Sequence, residues 1–460
     1  MNRSVRQSVV EKGRVSAVDT GGAPRPVVRV IDAVGLIVGI VIGAGIFRTP
    51  SIVVGNAASA SAVYIAWILG GVMSLIGATV YAELATAYPH AGGDYYYLTR
   101  AFGRRIAFLF GWARMSVIQT GSITVFAFVV GDYLSQIVSL GQYSPAIYAA
   151  VVVLVMTGLN ILGVRQGTGT QNALTAIQVA GMVLVILAGL MTASPEPAAD
   201  TARPAGSTSF GLMMVFVLFT YGGWNEAAYV SGELRDVRHN MARALILSVL
   251  VITTLYVAIN WAYLHGLGLS GVAKSQGVAA DLMRRAFGDI GARGISVLIA
   301  IAALTSANAT IFTGGRSSYA FGCDFRQFRF MGHWNPRTGT PVNGLIVQGA
   351  VSLALVLLGV FTRQGFQTMV DYTAPVFWLF FLLTGIAFFV LRRKDRTTNR
   401  PFRVPLYPLP PIVFCIMCAY LLYSSLAYAR IGAMAGVAVL AVGALLLLFV
   451  EPSTSNMKER

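Results

Sequence analysis

The chain has 460 residues, of which 56% are hydrophobic and only 11% are charged, and its mean hydropathy is +0.69. Soluble proteins carry about 25% charged residues, so this composition excludes an ordinary soluble protein. The net charge of +16 does not indicate nucleic-acid binding, because the basic residues lie in short segments between long apolar runs.

Twelve apolar segments recur along the chain, and a transmembrane helix needs roughly 20 such residues to cross about 30 Å of hydrocarbon. Residues 1–30 are polar and basic and lack the apolar core of a leader peptide, so they are expected to form a tail, with a second tail at 451–460. The sequence therefore predicts an all-α integral membrane protein with twelve transmembrane helices. The predicted spans are 31–55, 61–86, 105–134, 145–164, 171–193, 208–232, 243–266, 292–316, 343–361, 367–391, 409–428 and 431–450.

The basic residues indicate how the spans are oriented. If the N-terminus is cytoplasmic, 25 of the 34 Lys and Arg residues fall in inner segments, seven in outer segments and two inside spans. Basic loops mark the cytoplasmic side, so we expect a multi-pass protein of the plasma (inner) membrane with both termini in the cytoplasm. The basic outer segment 267–292 is an exception, and its length predicts small interfacial helices.

Spans one and six differ from the others because their glycines lie in the middle of the span. Gly43 and Gly45 flank Ala44 in span one, and Gly222 precedes Gly223 in span six. Glycine in a helix interior costs about 1 kcal/mol relative to alanine, and irregular backbone at membrane depth must be buried in protein or line a cavity. Close helix packing is the alternative role for such glycines. We interpret both as breaks in the helix.

A break exposes helix ends in the middle of the membrane. Free N–H groups at the start of a half-helix favour an anion, and free carbonyls at the end of the preceding half favour a cation. In span one, the N–H groups expected to face a carboxylate are those of Ala44, Gly45 and Ile46. In span six, the carbonyls expected to face an ammonium are near Phe219, Thr220 and Tyr221. Together they fit a zwitterion, which predicts an amino acid as the substrate.

The positions of the two breaks predict an internal repeat. Interrupted spans at corresponding positions of two halves are typical of inverted repeats with a transport site between them. The sequence thus predicts a transport core at 31–395, with repeats at about 31–193 and 208–391, followed by helices 11 and 12 within 396–450.

Four motifs lie in or beside these spans: GAGIFRTP (43–50), AELATAYPHAGGDYYYL (82–98), FTYGGWNEAAYVSGEL (219–234) and GTPVNGLIVQG (339–349). With them, roughly residues 30–395 resemble the amino acid–polyamine–organocation superfamily, and most closely its L-amino-acid transporter branch and bacterial relatives. The resemblance implies a leucine-transporter-like 5+5 inverted-repeat fold that works by alternating access. It also implies that Phe219 is an outer gate and that Asn225 braces the second break. The implied substrate-binding set is Ile42, Gly43, Ala44, Gly45, Ile46, Phe219, Thr220, Tyr221, Gly222 and Asn225.

The chain departs from this family in span five, where many bacterial relatives carry a lysine and this chain has Gln178. A neutral amide cannot replace a cation, so exchange, facilitated diffusion, sodium coupling and another proton site stay open. The hydroxyls of Ser306, Thr310 and Thr313 in span eight either coordinate sodium or bond to their own helix.

Charged residues inside spans are costly and are typical of functional sites. Glu226 either braces the second break or serves as a proton-coupling site or a contact for a cationic substrate. Glu83 is expected to pair with arginines of an inner loop, and Arg114 to be a structural partner. Arg48 either attracts anions or forms a structural pair.

Neutral L-amino acids are the predicted cargo of a secondary transporter or exchanger, and a cationic amino acid or polyamine exchanger that uses Glu226 is the alternative. An enzyme is not expected, because the chain has no HExxH or GxSxG motif; a channel and a nutrient sensor are further rivals. We expect no cofactor and no resident metal, since the CxxC of Cys415 and Cys418 lies inside an apolar run. The expected partners are the lipid bilayer and the substrate, without nucleic acid. With Cys323 the remaining cysteine and none in an outer loop, no disulfide-linked heavy subunit is expected.

Overall fold

The structure is a computed structural model, and it describes residues 29–43, 45–90, 92–163, 168–192, 209–234, 236–362, 364–428 and 431–449. Within these residues the regular secondary structure is helical, apart from isolated bridge positions such as the pair Asn335 and Thr340. The α-helices are Val30–Val41 (α1), Gly45–Gly55 (α2), Ala60–Ala87 (α3), Gly93–Phe102 (α4), Arg104–Ala113 (α5), Gln119–Ser135 (α6), Ser144–Ile161 (α7), Thr168–Met191 (α8), Phe210–Tyr221 (α9), Val237–Lys274 (α10), Val278–Asp324 (α11), Val342–Thr362 (α12), Gly365–Lys394 (α13), Leu409–Ala427 (α14) and Ile431–Leu446 (α15).

Three further helical segments have other geometries. A π-helical turn at Arg114–Ile118 joins α5 to α6, so that Arg104–Ser135 forms one continuous span. Two 3₁₀ segments, Trp224–Glu233 and Arg326–Met331, follow α9 and α11. π-turns occur mostly as single insertions and often at functional sites.

Nine helices in the described residues are long and apolar enough to cross a membrane, and the bent pair α1 and α2 makes a tenth candidate. The protein is therefore a multi-pass membrane protein. The helix α15 is apolar but has only 16 residues, and α9 has 12 before its helix ends. Both are shorter than the roughly 20 residues that a straight span needs, so the count of twelve spans stays a prediction.

The segment 267–292 is helical, as predicted, although its interfacial position stays a prediction. The helix α10 continues to Lys274 and α11 begins at Val278, so both are longer than the predicted spans. Each contains one non-helical glycine, Gly268 with φ 67° and Gly288 with φ 67°. These positive φ values suit glycine, which lacks a Cβ. At each of the two glycines, a short helix is separated from a long apolar helix.

Glycines also let α3 lie directly against its neighbours. A Cβ atom at Gly70 would lie 2.6 Å from Val217 of α9, and Gly71 has no room for a Cβ beside Thr253 of α10. The helices α3, α9 and α10 therefore form a tight seam along one side of the bundle. Small residues at such contacts are typical of membrane helices.

We call the end of the bundle where α1 begins the near face, and the opposite end the far face. At the near face, the buried carboxylate of Glu83 accepts hydrogen bonds from Arg392 at 2.7 Å and from the backbone N–H of Val404 at 2.7 Å. Arg400 lies 3.5 Å from the same carboxylate. The predicted pairing of Glu83 with loop arginines is confirmed by this contact. It joins α3 to the end of α13 and the following loop.

Candidate substrate-binding site

The two predicted breaks lie beside one another in the middle of the bundle and enclose a cavity. Its volume is about 160 Å³, far more than the roughly 10–15 Å³ that one water molecule needs. Nine of the predicted site residues line it: Gly43, Gly45, Phe219, Thr220, Gly222, Asn225, Glu226, Ser306 and Thr310. The cavity is therefore large enough to hold a small organic molecule.

The first break separates α1 from α2 by a bend of 48°. The helix α1 ends at Val41, and the N–H of Ile42 still donates to the carbonyl of Val38 at 2.7 Å. The helix α2 begins at Gly45, so its first turn presents N–H groups that have no partner within the helix. Ala44, one of the predicted carboxylate ligands, lies outside the described residues.

The second break follows α9. The N–H of Gly222 donates to the carbonyl of Phe219 at 3.0 Å, and Gly223 has φ 109°. The chain continues as the 3₁₀ segment Trp224–Glu233 rather than as an α-helix. Because Gly223 lies in the region that favours glycine, the change from α-helix to 3₁₀ segment depends on this residue.

The two breaks are in direct contact. A Cβ atom at Gly45 would lie 3.3 Å from the side chain of Thr220. The hydroxyl of Thr220 lies 2.9 Å from that of Thr49, which joins α9 to α2. The N-terminal end of one half-helix and the C-terminal end of another therefore meet at the cavity.

Glu226 lies on the wall of the cavity and pairs with Arg114 of the π-turn. The two nitrogens of the guanidinium donate to this carboxylate over 3.1–3.3 Å. Arg114 is also held by the hydroxyl of Ser317 at 3.3 Å and by the ring of Tyr229, whose centroid lies 4.3 Å from its Cζ. The side chain of Arg114 is 6% exposed and that of Glu226 25%. Glu226 is thus a compensated charge, which agrees with the predicted role of Arg114 as a structural partner.

This pair extends toward the near face through Tyr229. The hydroxyl of Tyr229 accepts from Arg114 at 3.1 Å and donates to Asp94 at 3.4 Å. Asp94 lies in the short helix α4 and also accepts from Thr384 at 3.3 Å. Burial raises the pKa of the Asp94 carboxyl to about 6, since removal from water disfavours the charged form.

The residues predicted for ion coupling donate hydrogen bonds to carbonyl groups of helices. Gln178 is buried, does not line the cavity, and donates to the carbonyl of Ala302 at 3.4 Å. The hydroxyl of Ser306 donates to the same carbonyl at 3.3 Å, and Thr310 and Thr313 donate to carbonyls of their own helix. These hydroxyls thus bond to their own helix, and sodium coordination stays a prediction.

Other predicted ligands lie behind the cavity wall. The side chains of Ile42, Ile46 and Tyr221 are fully buried and pack into the core, so only their backbones could take part in binding. Phe219 does line the cavity, and its ring lies 6.2 Å from that of Phe377. This aromatic pair covers part of the cavity beside the second break.

Several cavity residues were not predicted from the sequence. They lie on α6 and α13 and their neighbouring turns, and they include Gln119, Ser122, Phe126, Phe366 and Phe377. The sequence did contain an indication of the cavity residues on α6, because the polar run QTGS interrupts an apolar span. This run directly follows the π-turn. The phenylalanines of α13 could not be recognised from the sequence, since phenylalanine is common in all membrane helices.

A second ion pair lies toward the far face. Arg48 of α2 lies 3.1 Å from Asp132 in the last turn of α6, and it also donates to Gln276 at 2.9 Å. Both side chains are mostly buried, at 16% and 20% exposure. Arg48 therefore forms a structural pair, one of the two alternatives considered from the sequence.

With this geometry in place, comparison with known proteins identifies the family. The model of the amino acid permease family matches residues 29–451. The chain belongs to the amino acid permease family. The permease is therefore a transporter of amino acids and not an enzyme, as the sequence predicted.

The similarity to curated relatives extends over most of each chain. The permease is 29% identical over 402 residues to b(0,+)-type amino acid transporter 1 of Mus musculus, which covers 85% of the permease and 80% of the relative. It is 26% identical over 398 residues to the serine/threonine exchanger SteT of Bacillus subtilis, covering 86% and 90%. It is 29% identical over 418 residues to the large neutral amino acids transporter small subunit 2 of Oryctolagus cuniculus, covering 88% and 77%.

Proposed function

We propose that the permease exchanges neutral L-amino acids by alternating access through the cavity between its two breaks. The substrate carboxylate binds the N–H groups at the start of α2, including those of Gly45 and Ile46. The ammonium binds carbonyls at the end of α9, near Phe219 and Thr220. Helix ends carry about half a charge of the required sign, and both ends border the cavity.

The observation that carries the neutral specificity is the pairing of Glu226 with Arg114. A substrate with a cationic side chain needs an uncompensated acid in the cavity, and this carboxylate already accepts three hydrogen bonds from a guanidinium. The rest of the newly identified wall, including Ser122, Phe126 and Phe377, has no formal charge. Two relatives bear names that state neutral substrates, namely the serine/threonine exchanger and the large neutral amino acids transporter.

The second candidate is a cationic amino acid or polyamine exchanger. It is favoured by the quarter exposure of the Glu226 side chain on the cavity wall. In that function, a substrate cation would compete with Arg114 for the carboxylate.

We also propose a mode of ion coupling and an arrangement in the membrane. Since Gln178 is neutral and the hydroxyls of span eight bond to their own helix, we propose exchange without sodium or proton coupling. We further propose a plasma membrane protein with cytoplasmic termini and twelve spans, in which repeats at about 31–193 and 208–391 are inverted. No disulfide-linked subunit is included, because Cys323, the exposed cysteine of the described residues, lies toward the near face.

The test is uptake into proteoliposomes that contain the purified permease and a saturating internal amino acid. We expect uptake of labelled neutral amino acids to be stimulated by internal neutral amino acids, and to be independent of a sodium or pH gradient. Labelled arginine, lysine and putrescine should not enter. Sodium-dependent uptake without trans-stimulation would contradict the exchange mechanism.

The double variant Arg114→Gln/Glu226→Gln separates the two candidates, because it removes both charges of the pair together. Under the neutral proposal, it retains neutral amino acid exchange. If the wild type transports a cation and the double variant loses only that activity, the cationic candidate is correct and the neutral proposal is wrong.

A further inference from the structure

A smaller cavity adjoins the binding cavity at the second break. We call it the side pocket, and its wall is formed by eight residues: Ser74, Leu218, Gly222, Trp224, Phe377, Trp378, Phe381 and Met417. Its volume is about 10 Å³, at the lower end of the roughly 10–15 Å³ that a group the size of one water molecule needs. The side pocket is therefore too small for a whole amino acid, but it has room for one small group.

Two residues, Gly222 and Phe377, line both cavities. Glycine has no side chain, so the ring of Phe377 is the side chain that the two walls share. This ring lies 6.2 Å from that of Phe219 in the wall of the binding cavity, and 4.2 Å from that of Phe381 in the wall of the side pocket. A change in the orientation of one ring would therefore join the two cavities.

The side pocket contains a buried hydroxyl that forms no bond to its own helix. Serine and threonine in helices commonly donate to a carbonyl of the preceding turn, as Ser248 of α10 and Ser296 of α11 do at 2.7 and 2.8 Å. Ser74 of α3 is only 2% exposed, and its hydroxyl has no hydrogen-bond partner among the described residues. The hydroxyl is therefore available to a group that enters the side pocket.

An indole N–H in the same wall is in the same condition. Trp378 of α13 is 2% exposed, and its Nε1 has no hydrogen-bond partner in the part of the chain that the structure describes. Buried polar groups are nearly always hydrogen-bonded, and leaving them unpaired is costly. Two such groups in the wall of one small cavity thus point to a polar occupant.

The chemistry of the two groups defines that occupant. An indole N–H can only donate, whereas a serine hydroxyl can donate and accept. An oxygen atom in the side pocket can accept from both, but a methyl group leaves both unpaired. The wall contains no charged side chain, so an ionised group would have no partner there. A hydroxyl or carboxamide oxygen therefore suits the side pocket best.

We propose that the side pocket is a specificity subsite that binds the hydroxyl or carboxamide oxygen of a substrate side chain. This inference rests on the proposed function and narrows its substrates to polar neutral amino acids. The two breaks hold the carboxylate and the ammonium, the side chain passes Gly222, and the ring of Phe377 turns to admit its end. Ser74 and Trp378 then form hydrogen bonds to the oxygen atom.

The test is competition for exchange in proteoliposomes by amino acids of matched size. Threonine is compared with valine, and asparagine with leucine, as inhibitors of the uptake of a labelled neutral amino acid. We expect the inhibition constant of the polar member of each pair to be about tenfold lower, the size of two modest hydrogen bonds. A wild type that shows no preference within either pair would overturn the proposal.

Ser74→Ala tests the subsite directly, and Ser352→Ala is the matched control. Ser352 of α12 is also buried with an unpaired hydroxyl, but it lines neither the binding cavity nor the side pocket. In Ser74→Ala the preference for the polar member should fall about threefold, the size of one modest hydrogen bond, because its inhibition constant rises while that of the apolar member stays the same. Ser352→Ala should keep the wild-type preference.

The comparison within a pair separates a substrate subsite from a structural role. An equal change for both members of each pair in Ser74→Ala would mean that the side pocket holds a water molecule or serves packing only, and would overturn the proposal. Should Ser74→Ala not fold, Trp378→Phe provides the second variant, because it removes the N–H and keeps an aromatic ring beside Phe377 and Phe381. We expect the same threefold loss of preference there, and an unchanged preference would contradict the proposal.

Failure of this inference is distinguishable from failure of the proposed function. If wild type and Ser352→Ala exchange no neutral amino acid, the proposed function is wrong. If both exchange neutral amino acids without preferring the polar member of each pair, only the specificity subsite is wrong.

Discussion

The two breaks have similar glycine-containing sequences but different local structures. The first is followed by an α-helix that begins at Gly45, and it presents backbone N–H groups to the cavity. The second is followed by a 3₁₀ segment, and it brings the ion pair of Glu226 and Arg114 to the cavity wall. The first break thus presents the N-terminal end of a helix to the cavity, and the second presents a carboxylate that is paired with an arginine.

The two breaks expose different groups, and each kind of group requires its own kind of stabilisation. Free N–H groups at the first break can be satisfied by a substrate carboxylate or by water. The second break holds a carboxylate in a largely buried position, and a buried charge must be paired. Arg114 supplies that pair from the π-turn, where the extra residue shifts the direction of the side chains. Substitutions at the two breaks should therefore lower stability or transport for different reasons.

The largest effect is expected from breaking the ion pair at the second break. Glu226→Gln leaves the 6%-exposed Arg114 side chain with an unpaired charge that it cannot lose, whereas Arg114→Gln leaves a carboxylate whose side chain is 25% exposed at the cavity wall. We expect Glu226→Gln to lower the free energy of unfolding by about 3–5 kcal/mol, and Arg114→Gln by less.

Thermal unfolding of the purified variants in one detergent measures this asymmetry. The double variant Arg114→Gln/Glu226→Gln should recover most of the stability, as a double-mutant cycle requires for coupled residues. Additive losses would show that the two residues are not energetically coupled, and equal losses in the two single variants would contradict the argument from their different exposures.

A smaller effect should distinguish the glycines of the two breaks. At Gly223 the φ of 109° is unfavourable for any Cβ, and that atom would also lie 3.0 Å from Ile40. At Gly45 the nearest atom to a Cβ would be a side-chain carbon of Thr220, at 3.3 Å. Left-handed backbone costs a residue other than glycine roughly 1–2 kcal/mol, so Gly223→Ala should lower transport about tenfold and Gly45→Ala less.

Initial uptake rates per reconstituted protein provide the measurement for this pair of variants. Equal rates for the two alanine variants would mean that the strain at the second break does not matter for transport. A greater loss at Gly45 would mean instead that the close approach of the breaks limits the site.

The smallest effect is expected at the hydroxyl contact between the breaks. Thr49→Val removes the partner of Thr220, whose hydroxyl can still donate to the carbonyl of Phe216 at 2.8 Å. The loss should be about 0.5–1.5 kcal/mol in the free energy of unfolding, seen as a modest fall in melting temperature. Thr254→Val is the control, because that exposed hydroxyl bonds only to its own helix. A fall of the same size in the control would assign the effect to helix propensity.

The parts of the fold that depend on local composition could be predicted from the sequence. Glycines in the middle of apolar spans, such as Gly43 and Gly223, predicted irregular backbone, with close helix packing as the alternative role. The pairing of Glu226 with Arg114 could not be predicted, since the residues are 112 positions apart and several arginines were available. The role of Phe377 was equally hidden, because only the packing of α13 turns one phenylalanine of many toward the cavity.

Both ion pairs beside the cavity join the span formed by α5 and α6 to a broken helix. Arg114 lies toward the near face and needs Glu226, whereas Asp132 lies toward the far face and needs Arg48. Separating either pair would leave two mostly buried charges unpaired, which is costly. Under the proposed alternating access, a state open at both ends that separated both pairs would bear both costs. The two pairs are therefore expected to disfavour simultaneous opening of the two faces.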